Sequence, residues 1–209
     1  MTLVELLVVL VVLGFFAIVM LNTPEPKAKT RALRIQCVSN LKQVGLAYRI
    51  WEGDHGSYPM AVSETNSGTM EFTTGKNAFR HYQVMSNELS SPRVLLCPSD
   101  ASRDEAATNW FNFSNSNISY FVGIVANESN AMMILSGDHN ITNGTPTKNG
   151  LLALSTNALA GWTSEMHKRV GNILLTDGSV QQVSILGLQN QIANTGVATN
   201  RVQMPVIWN

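Results

Sequence analysis

The sequence predicts an α+β fold: one long N-terminal α-helix whose second half packs on an antiparallel β-sheet head. Three stretches predict it. Residues 1–21 form an almost unbroken apolar run, residues 28–51 carry apolar side chains at helical spacing, and residues 172–183 read as two strands around Asp177-Gly178. The chain has 209 residues. Setting aside the apolar run and the stem that follows leaves roughly 150, enough for one head domain with its own core. The expected division is therefore 1–54 for the helix and 55–209 for the head.

The first stretch, MTLVELLVVLVVLGFFAIVML, contains a single charge, Glu5. About 20 apolar residues in a helix span the roughly 30 Å hydrocarbon core of a bilayer, so residues 1–21 are read as membrane-spanning. A carboxylate in such a run is costly and is a functional-site hypothesis by default. Gly14 sits mid-run, where it favours close helix packing or local melting. Pro24 and Pro26 predict a kinked or extended interruption around Asn22–Lys27. The run is longer than the apolar core of a secretory signal, nothing basic precedes it, and no Ala-x-Ala follows. Lys27, Lys29, Arg31 and Arg34 come after it. By the positive-inside rule they would keep the body of the chain in the cytoplasm, unless a basic leader has been removed ahead of Met1.

From Lys27 the helix resumes, as an amphipathic stem over 27–54. Ala28, Ala32, Ile35, Val38, Leu41, Gly45, Tyr48 and Trp51 recur at spacings of three and four, one apolar stripe that should lie across the sheet. Lys29, Arg34, Lys42, Gln43 and Arg49 mark the other face. Turn chemistry from Gly53 to Pro59 ends it.

The head begins with a Ser/Thr/Gly-rich loop, Met60 to Gly75. A helix is expected over Lys76–Leu89, ended by Pro92, then a short buried strand at Val94–Cys97. Asn109–Asn117 reads as a loop pinned by its aromatics, Trp110, Phe111 and Phe113. Strands are expected at Ile118–Val125, Ala131–Leu135 and Leu151–Leu154. The strongest hairpin signal is Asn172–Thr176, Asp177-Gly178, Ser179–Val183, since Asp-Gly favours the type I′ turn that matches strand twist. Its first strand is apolar on both faces and should be buried; its second alternates and should lie near an edge. A short helix over Leu186–Ala193 and a final extended segment over Arg201–Trp208 complete the chain.

Formal net charge is zero and charged residues are only 13% of the chain, which gives no electrostatic case for a nucleic-acid partner. Cys37 and Cys97 are either two buried thiols or a disulfide, the second requiring an oxidising compartment. No Cys-x-x-Cys pattern points to zinc. His167 and Asp177 are a candidate His–carboxylate pair, and Asp138-His139 is a second polar feature. Neither accompanies a Gly-x-Ser-x-Gly elbow, a His-Glu-x-x-His helix or a phosphate loop. No catalytic residue is assigned, no cofactor is expected, and the chain is not read as an enzyme. The simplest role for His167, Asp177 and Gly178 is structural: a turn at Asp177-Gly178, and a histidine hydrogen-bonded near the start of the strand.

Thr2-Leu3-Val4-Glu5-Leu6-Leu7-Val8-Val9 resembles the mature N-terminus of type IV pilins and type II secretion pseudopilins. Further landmarks are Ile35 to Leu46, Gly56-x-Tyr58-Pro59, Leu96-Cys97-Pro98-Ser99-Asp100, and His167 followed after nine residues by Asp177-Gly178. These resemble a pilin-like group of planctomycete and verrucomicrobial bacteria. The resemblance implies a leader cut by a prepilin peptidase and an N-methylated first residue, here Met1 where the family commonly has Phe. It also implies that Glu5 pairs with the N-terminal amine of a neighbouring subunit. An unpaired buried charge costs about 3–5 kcal/mol, so such a pair sets register as well as affinity.

The function so implied is a structural subunit of a type IV pilus-like or type II secretion pseudopilus filament. The implied partners are identical subunits in a helical homopolymer, the inner membrane before assembly, the peptidase and the assembly machinery. The implied location is the inner membrane for the monomer, then a periplasmic or extracellular filament. The alternative is a single-pass, membrane-anchored extracytoplasmic binding module that does not polymerise. Some pseudopilins bind calcium in the C-terminal part of the head. Asp100, Asp104, Asp138 and Asp177 are the candidate oxygen donors here, with no site assigned.

Overall fold

A computed structural model describes residues 2–21, 26–103, 105–157 and 159–207, without the side chains of 19–21, 26 and 27. Met1, Pro24, Asp104 and Trp208, and so the expected interruption of the helix at the prolines, lie outside the described residues. The chain divides into two compact units, Met1–Ala32 and Leu33–Asn209.

In the first unit, helix α1 runs Leu3–Leu21, about 28 Å at 1.5 Å per residue. Its described side chains are exposed all round: Leu3 is 81% exposed, and Val12, the least exposed of its large hydrophobics, still 46%. Among the described residues no helix is long and apolar enough to cross a membrane. Helix α2 spans Pro26–His55, and the division between the units falls within it.

The head is α+β, with a six-stranded antiparallel sheet. Its strands are β1 (Tyr120–Gly123), β2 (Ile134–Asp138), β4 (Leu151–Ser155), β6 (Gly171–Leu175), β7 (Val180–Val183) and β8 (Thr199–Gln203), in the order β4-β8-β1-β2-β6-β7. A two-stranded sheet pairs β3 (Ile141–Thr142) with β5 (Gly161–Trp162). Alternation along the strands feeds two cores. Tyr120, Val122 and Leu174 join Cys37, Leu41, Val44, Tyr48 and Trp51 of α2 on one face. Phe121, Ile173 and Leu175 join Leu188 and Ile192 of helix α5 (Ile185–Asn194) on the other. Gly45 lets α2 come close to the sheet: a Cβ there would lie 2.7 Å from Leu174 Cδ1.

The stem helix buries the C-terminal half of the stripe its apolar spacing predicts, Leu41, Gly45, Tyr48 and Trp51, together with residues beside it. Cys37, Asn40, Leu41, Val44, Tyr48 and Trp51 face inward, while Ile35 is 62% exposed and Ala28 and Ala32 are exposed. The Cys37 disulfide and the Asn40 side chain, which donates to the Leu96 carbonyl, select a face that includes Cys37, Asn40 and Val44, outside the predicted stripe.

Three other elements differ from expectation. Val94–Cys97 is not a strand, because Pro92 and the Ser91 side chain, which accepts from Arg93 N–H, start a 3-10 turn over Pro92–Leu95. Lys76–Leu89 breaks into α3 (Ala78–Gln83) and α4 (Ser86–Leu89). The C-terminal segment is not laid on the domain: β8 lies inside the sheet, between β4 and β1.

The hairpin of β6 and β7 forms as expected, with β6 buried along its whole length and β7 at the sheet edge. Its turn is not type I′. Gly178 has φ +84° but Asp177 is not among the positive-φ residues, and Gly178 N–H donates to the Leu175 carbonyl. This is a type I turn followed by a glycine in the left-handed region, the three-residue hairpin loop with a bulge.

Candidate functional site

Two places carry the residues that the sequence marks. The first is the start of α1. Thr2 precedes the first helical residue, and Glu5 lies in the third helical position. Glu5 Oε2 accepts the Thr2 backbone N–H at 2.7 Å, and Thr2 Oγ1 accepts the Glu5 N–H at 3.4 Å. This reciprocal pair is a capping box, which satisfies two of the four N–H groups a helix leaves unpaired at its start. Its signal, Thr-x-x-Glu ahead of an apolar run, is present in the sequence and unread there. Glu5 is thus held within its own helix, and its oxygens are exposed. Met1, the expected partner in assembly, lies outside the described residues.

The second place is inside the head, where four segments converge. Cys37 comes from α2, Cys97 follows the 3-10 turn, Asp138 ends β2, and His167 lies in the loop before β6. Cys37 and Cys97 form a disulfide, and both are fully buried. His167 Nε2 lies 3.4 Å from Cys97 Sγ and 3.5 Å from Asp138 Oδ2. Asp138 Oδ2 accepts the backbone N–H of Asn172 at 2.7 Å and its side-chain amide at 2.9 Å. Asp138 Oδ1 is buried with no hydrogen-bond partner among the described residues. Register sets this contact, since the antiparallel pairing of Gly137 with Ile173 puts Asp138 beside Asn172.

The loop that delivers His167 is strained. His167, Lys168 and Arg169 have φ of 51°, 55° and 65°, a left-handed turn made without glycine. Left-handed backbone costs an L-residue about 1–2 kcal/mol, so the surroundings must hold it. Arg34 Nη2 donates to the His167 carbonyl at 3.1 Å, and Asn140 Nδ2 donates to the Met166 and Thr163 carbonyls at 3.1 Å each.

Burial decides the charge state here. It pushes the Asp138 carboxyl up to about 7, against the hydrogen bonds from Asn172 that pull it down. Burial also pushes the His167 imidazole down to about 4, with the Arg34 charge adding to the effect. Both shifts favour the neutral forms, and 3.5 Å is long for a hydrogen bond. The His167–Asp138 contact is therefore a packed polar contact and not a formed ion pair.

The His167–Asp177 pairing is not made. The two residues lie at opposite ends of β6, and the carboxylate beside His167 is Asp138. Asp177 shapes its turn, accepting from Ser179 N–H at 2.7 Å. The carbonyl of Asp177 accepts from Arg49 at 3.0 Å. Asp100, beside the other histidine, has Oδ2 2.7 Å from His139 Nε2 and Oδ1 2.6 Å from Ser102 Oγ. Burial raises its carboxyl, but His139 and Ser102 outweigh that and hold it well below the usual carboxylate range. Ser102 Oγ also reaches the same histidine nitrogen, at 3.3 Å. A nucleophile relay needs hydroxyl and carboxylate on opposite ring nitrogens, so this Ser–His–Asp cluster has no relay geometry.

The candidate calcium donors do not assemble. Asp100 is engaged by His139 and Ser102, Asp138 by Asn172, Asp177 sits in the hairpin turn, and Asp104 lies outside the described residues. Among the described residues, Cys37, Cys97 and His167 form a group of metal-ligand type, with ligand atoms all within 4.8 Å of one another.

Comparison of the chain with protein-family models, curated proteins and solved structures found no match.

Proposed function

We propose that this chain is a structural subunit of a type IV pilus-like or type II secretion pseudopilus filament, built by packing of the N-terminal helix, and that it is not an enzyme. One observation carries the reading. The helix α1 is apolar on every face and exposes its large side chains throughout its described length, with a single carboxylate in its first turn. A helix that is hydrophobic all round is found buried, in a protein interior or a membrane. In a filament the cover is the same helix of neighbouring subunits, and before assembly it is the inner membrane. Such packing without water favours close side-chain fit, with Gly14 as a point of near approach.

The capping box adds to this reading. In the monomer Thr2 occupies Glu5, so the carboxylate is not left bare before a neighbour's N-terminal amine arrives. In the filament the amine's charge replaces a neutral N–H donor, and charge-assisted hydrogen bonds are roughly twice as strong as neutral ones.

The test is to express the chain in cells that carry a pilus or pseudopilus assembly machinery, shear off surface fibres, and identify their protein by mass spectrometry. The expected result is fibres made of this chain, with the mass of its first residue reporting N-methylation. A correctly folded, membrane-held chain that never enters fibres would favour the anchored binding module instead.

A further inference from the structure

We propose that the dithiol form of the head binds one zinc ion at Cys37 Sγ, Cys97 Sγ and His167 Nε2, so that the site holds either a disulfide or a metal. The inference does not depend on the filament reading.

The geometry points to it in three ways. First, the ligand types are those of zinc: two sulfurs and one imidazole, all buried. Second, the spacing fits. Bonds of about 2.0–2.3 Å at tetrahedral angles place ligand atoms roughly 3.3–3.8 Å apart. His167 Nε2 already lies 3.4 Å from Cys97 Sγ, and the three ligand atoms all lie within 4.8 Å of one another. The two sulfurs, bonded to each other here, separate to about that distance by van der Waals repulsion once the bond is gone. Third, the site retains features that packing alone does not explain. A left-handed turn of three non-glycine residues presents His167, and Asp138 Oδ1, on the carboxyl beside it, is buried with no hydrogen-bond partner among the described residues. Strain of this kind clusters at ligand sites.

The step balances. A thiol-class reductant gives two electrons and two protons to the Cys37–Cys97 bond and is itself oxidised to a disulfide. Two thiols result. Zinc then displaces their two protons and forms two Zn–S bonds and a Zn–N bond to the neutral imidazole. A disulfide-class oxidant reverses the exchange: it takes two electrons from the two thiolates and two protons from water to become two thiols, the S–S bond re-forms and the metal leaves.

The test uses the full chain in detergent micelles, reduced by a water-soluble phosphine under inert gas, with Co²⁺ as the optical stand-in for Zn²⁺. The expected result is one Co²⁺ per chain, with thiolate-to-cobalt charge-transfer absorption and tetrahedral d–d bands, displaced by Zn²⁺. The disulfide form should show neither. His167→Ala should weaken Co²⁺ binding at least about tenfold, as loss of one ligand implies. No thiolate band in the reduced wild type, or a His167→Ala variant that binds as tightly, overturns the proposal. If that variant does not fold, X-ray absorption on the zinc-loaded wild type decides. Two sulfurs with at least one imidazole nitrogen support the site, and four sulfurs, or nitrogen and oxygen alone, overturn it.

Discussion

Glu5 and Asp138 are both single carboxylates in apolar surroundings, and the molecule treats them in opposite ways. Glu5 stands on a helix whose side chains are exposed on all sides, and its one partner within the described chain is the N–H of Thr2, three residues away. Asp138 is fully buried and is held by Asn172 from the neighbouring strand, with His167 3.5 Å off. The first carboxylate has one hydrogen-bond donor among the described residues and stands in the open. The second is walled in by its own fold and can serve only what happens inside the head. The lesson is that an apolar sequence context does not fix a carboxylate's role; which surfaces the fold covers does.

The largest effect should come from the buried side of this comparison. The disulfide closes a loop of 60 residues, and replacing both cysteines with alanine should lower head stability by about 4 kcal/mol in urea unfolding. Glu5→Ala should leave the same head transition unmoved. A shift with Glu5→Ala would mean that the two carboxylates are not independent.

Next in size, Asp138→Ala should cost about 3 kcal/mol, because it leaves the Asn172 N–H and amide without their acceptor in a dry core. Asp138→Asn keeps an acceptor oxygen and should cost less. Equal losses in the two variants would mean that the carboxylate's hydrogen bonds contribute nothing.

Acid exposes a third buried group. His81 Nε2–H donates to Gln203 Oε1 at 2.6 Å, an orientation set by the Gln203 amide, which donates to the Phe72 and Gly75 carbonyls. Thr69 donates to its Nδ1 at 2.6 Å. Burial pushes this imidazole down to about 4. A histidine lowered on folding takes up protons more readily when unfolded, so its contribution is complete above about pH 6.5 and is lost as pH falls toward 4, amounting to about 3 kcal/mol. Asp138, raised to about 7, acts in the opposite sense over much of that window, since its stabilisation fades as pH rises. The histidine effect is therefore read as the difference between wild type and His81→Gln. A difference that stays flat from pH 7 to pH 4 would contradict it.

The smallest effect is expected at Gly45. An alanine there meets the end of the Leu174 side chain rather than backbone, so Gly45→Ala should destabilise by about 1 kcal/mol of overpacking. A melting temperature at or above wild type would show that the gap between α2 and the sheet is looser than drawn.

How much of this is legible in the sequence follows a physical line. Local patterns read well. The hairpin at 172–183 combines a buried apolar strand with an Asp-Gly turn, and it forms, though the turn differs in type because Asp177 keeps ordinary backbone. That the stem is a helix follows from apolar spacing, though the whole of the face it buries does not, and α5 forms where a short helix is expected. Features set by partners far away in the chain do not read. Val94–Cys97 has strand composition, but Pro92 and Ser91 start a helical turn first. β8 is hidden because Asn200 and Gln203 are polar yet buried, donating to Thr195 and to the 70s loop. The head site is the clearest case. His167 is visible as a landmark, but its carboxylate is Asp138 and not Asp177, because strand register brings Asp138 beside Asn172, four residues before the turn that carries Asp177. Arg34 is visible only as a charge on a helix face, and nothing local says that it holds the His167 carbonyl.

The most direct test of the central claim is filament yield with Glu5→Gln, measured beside the head's unfolding curve. Glutamine can still accept the Thr2 N–H and keep the capping box, but it carries no charge for a neighbour's amine. The account predicts an unchanged head transition and a yield reduced at least about tenfold, since leaving one member of a buried ion pair alone is strongly unfavourable. Filaments at wild-type yield would contradict it and reduce Glu5 to a helix cap.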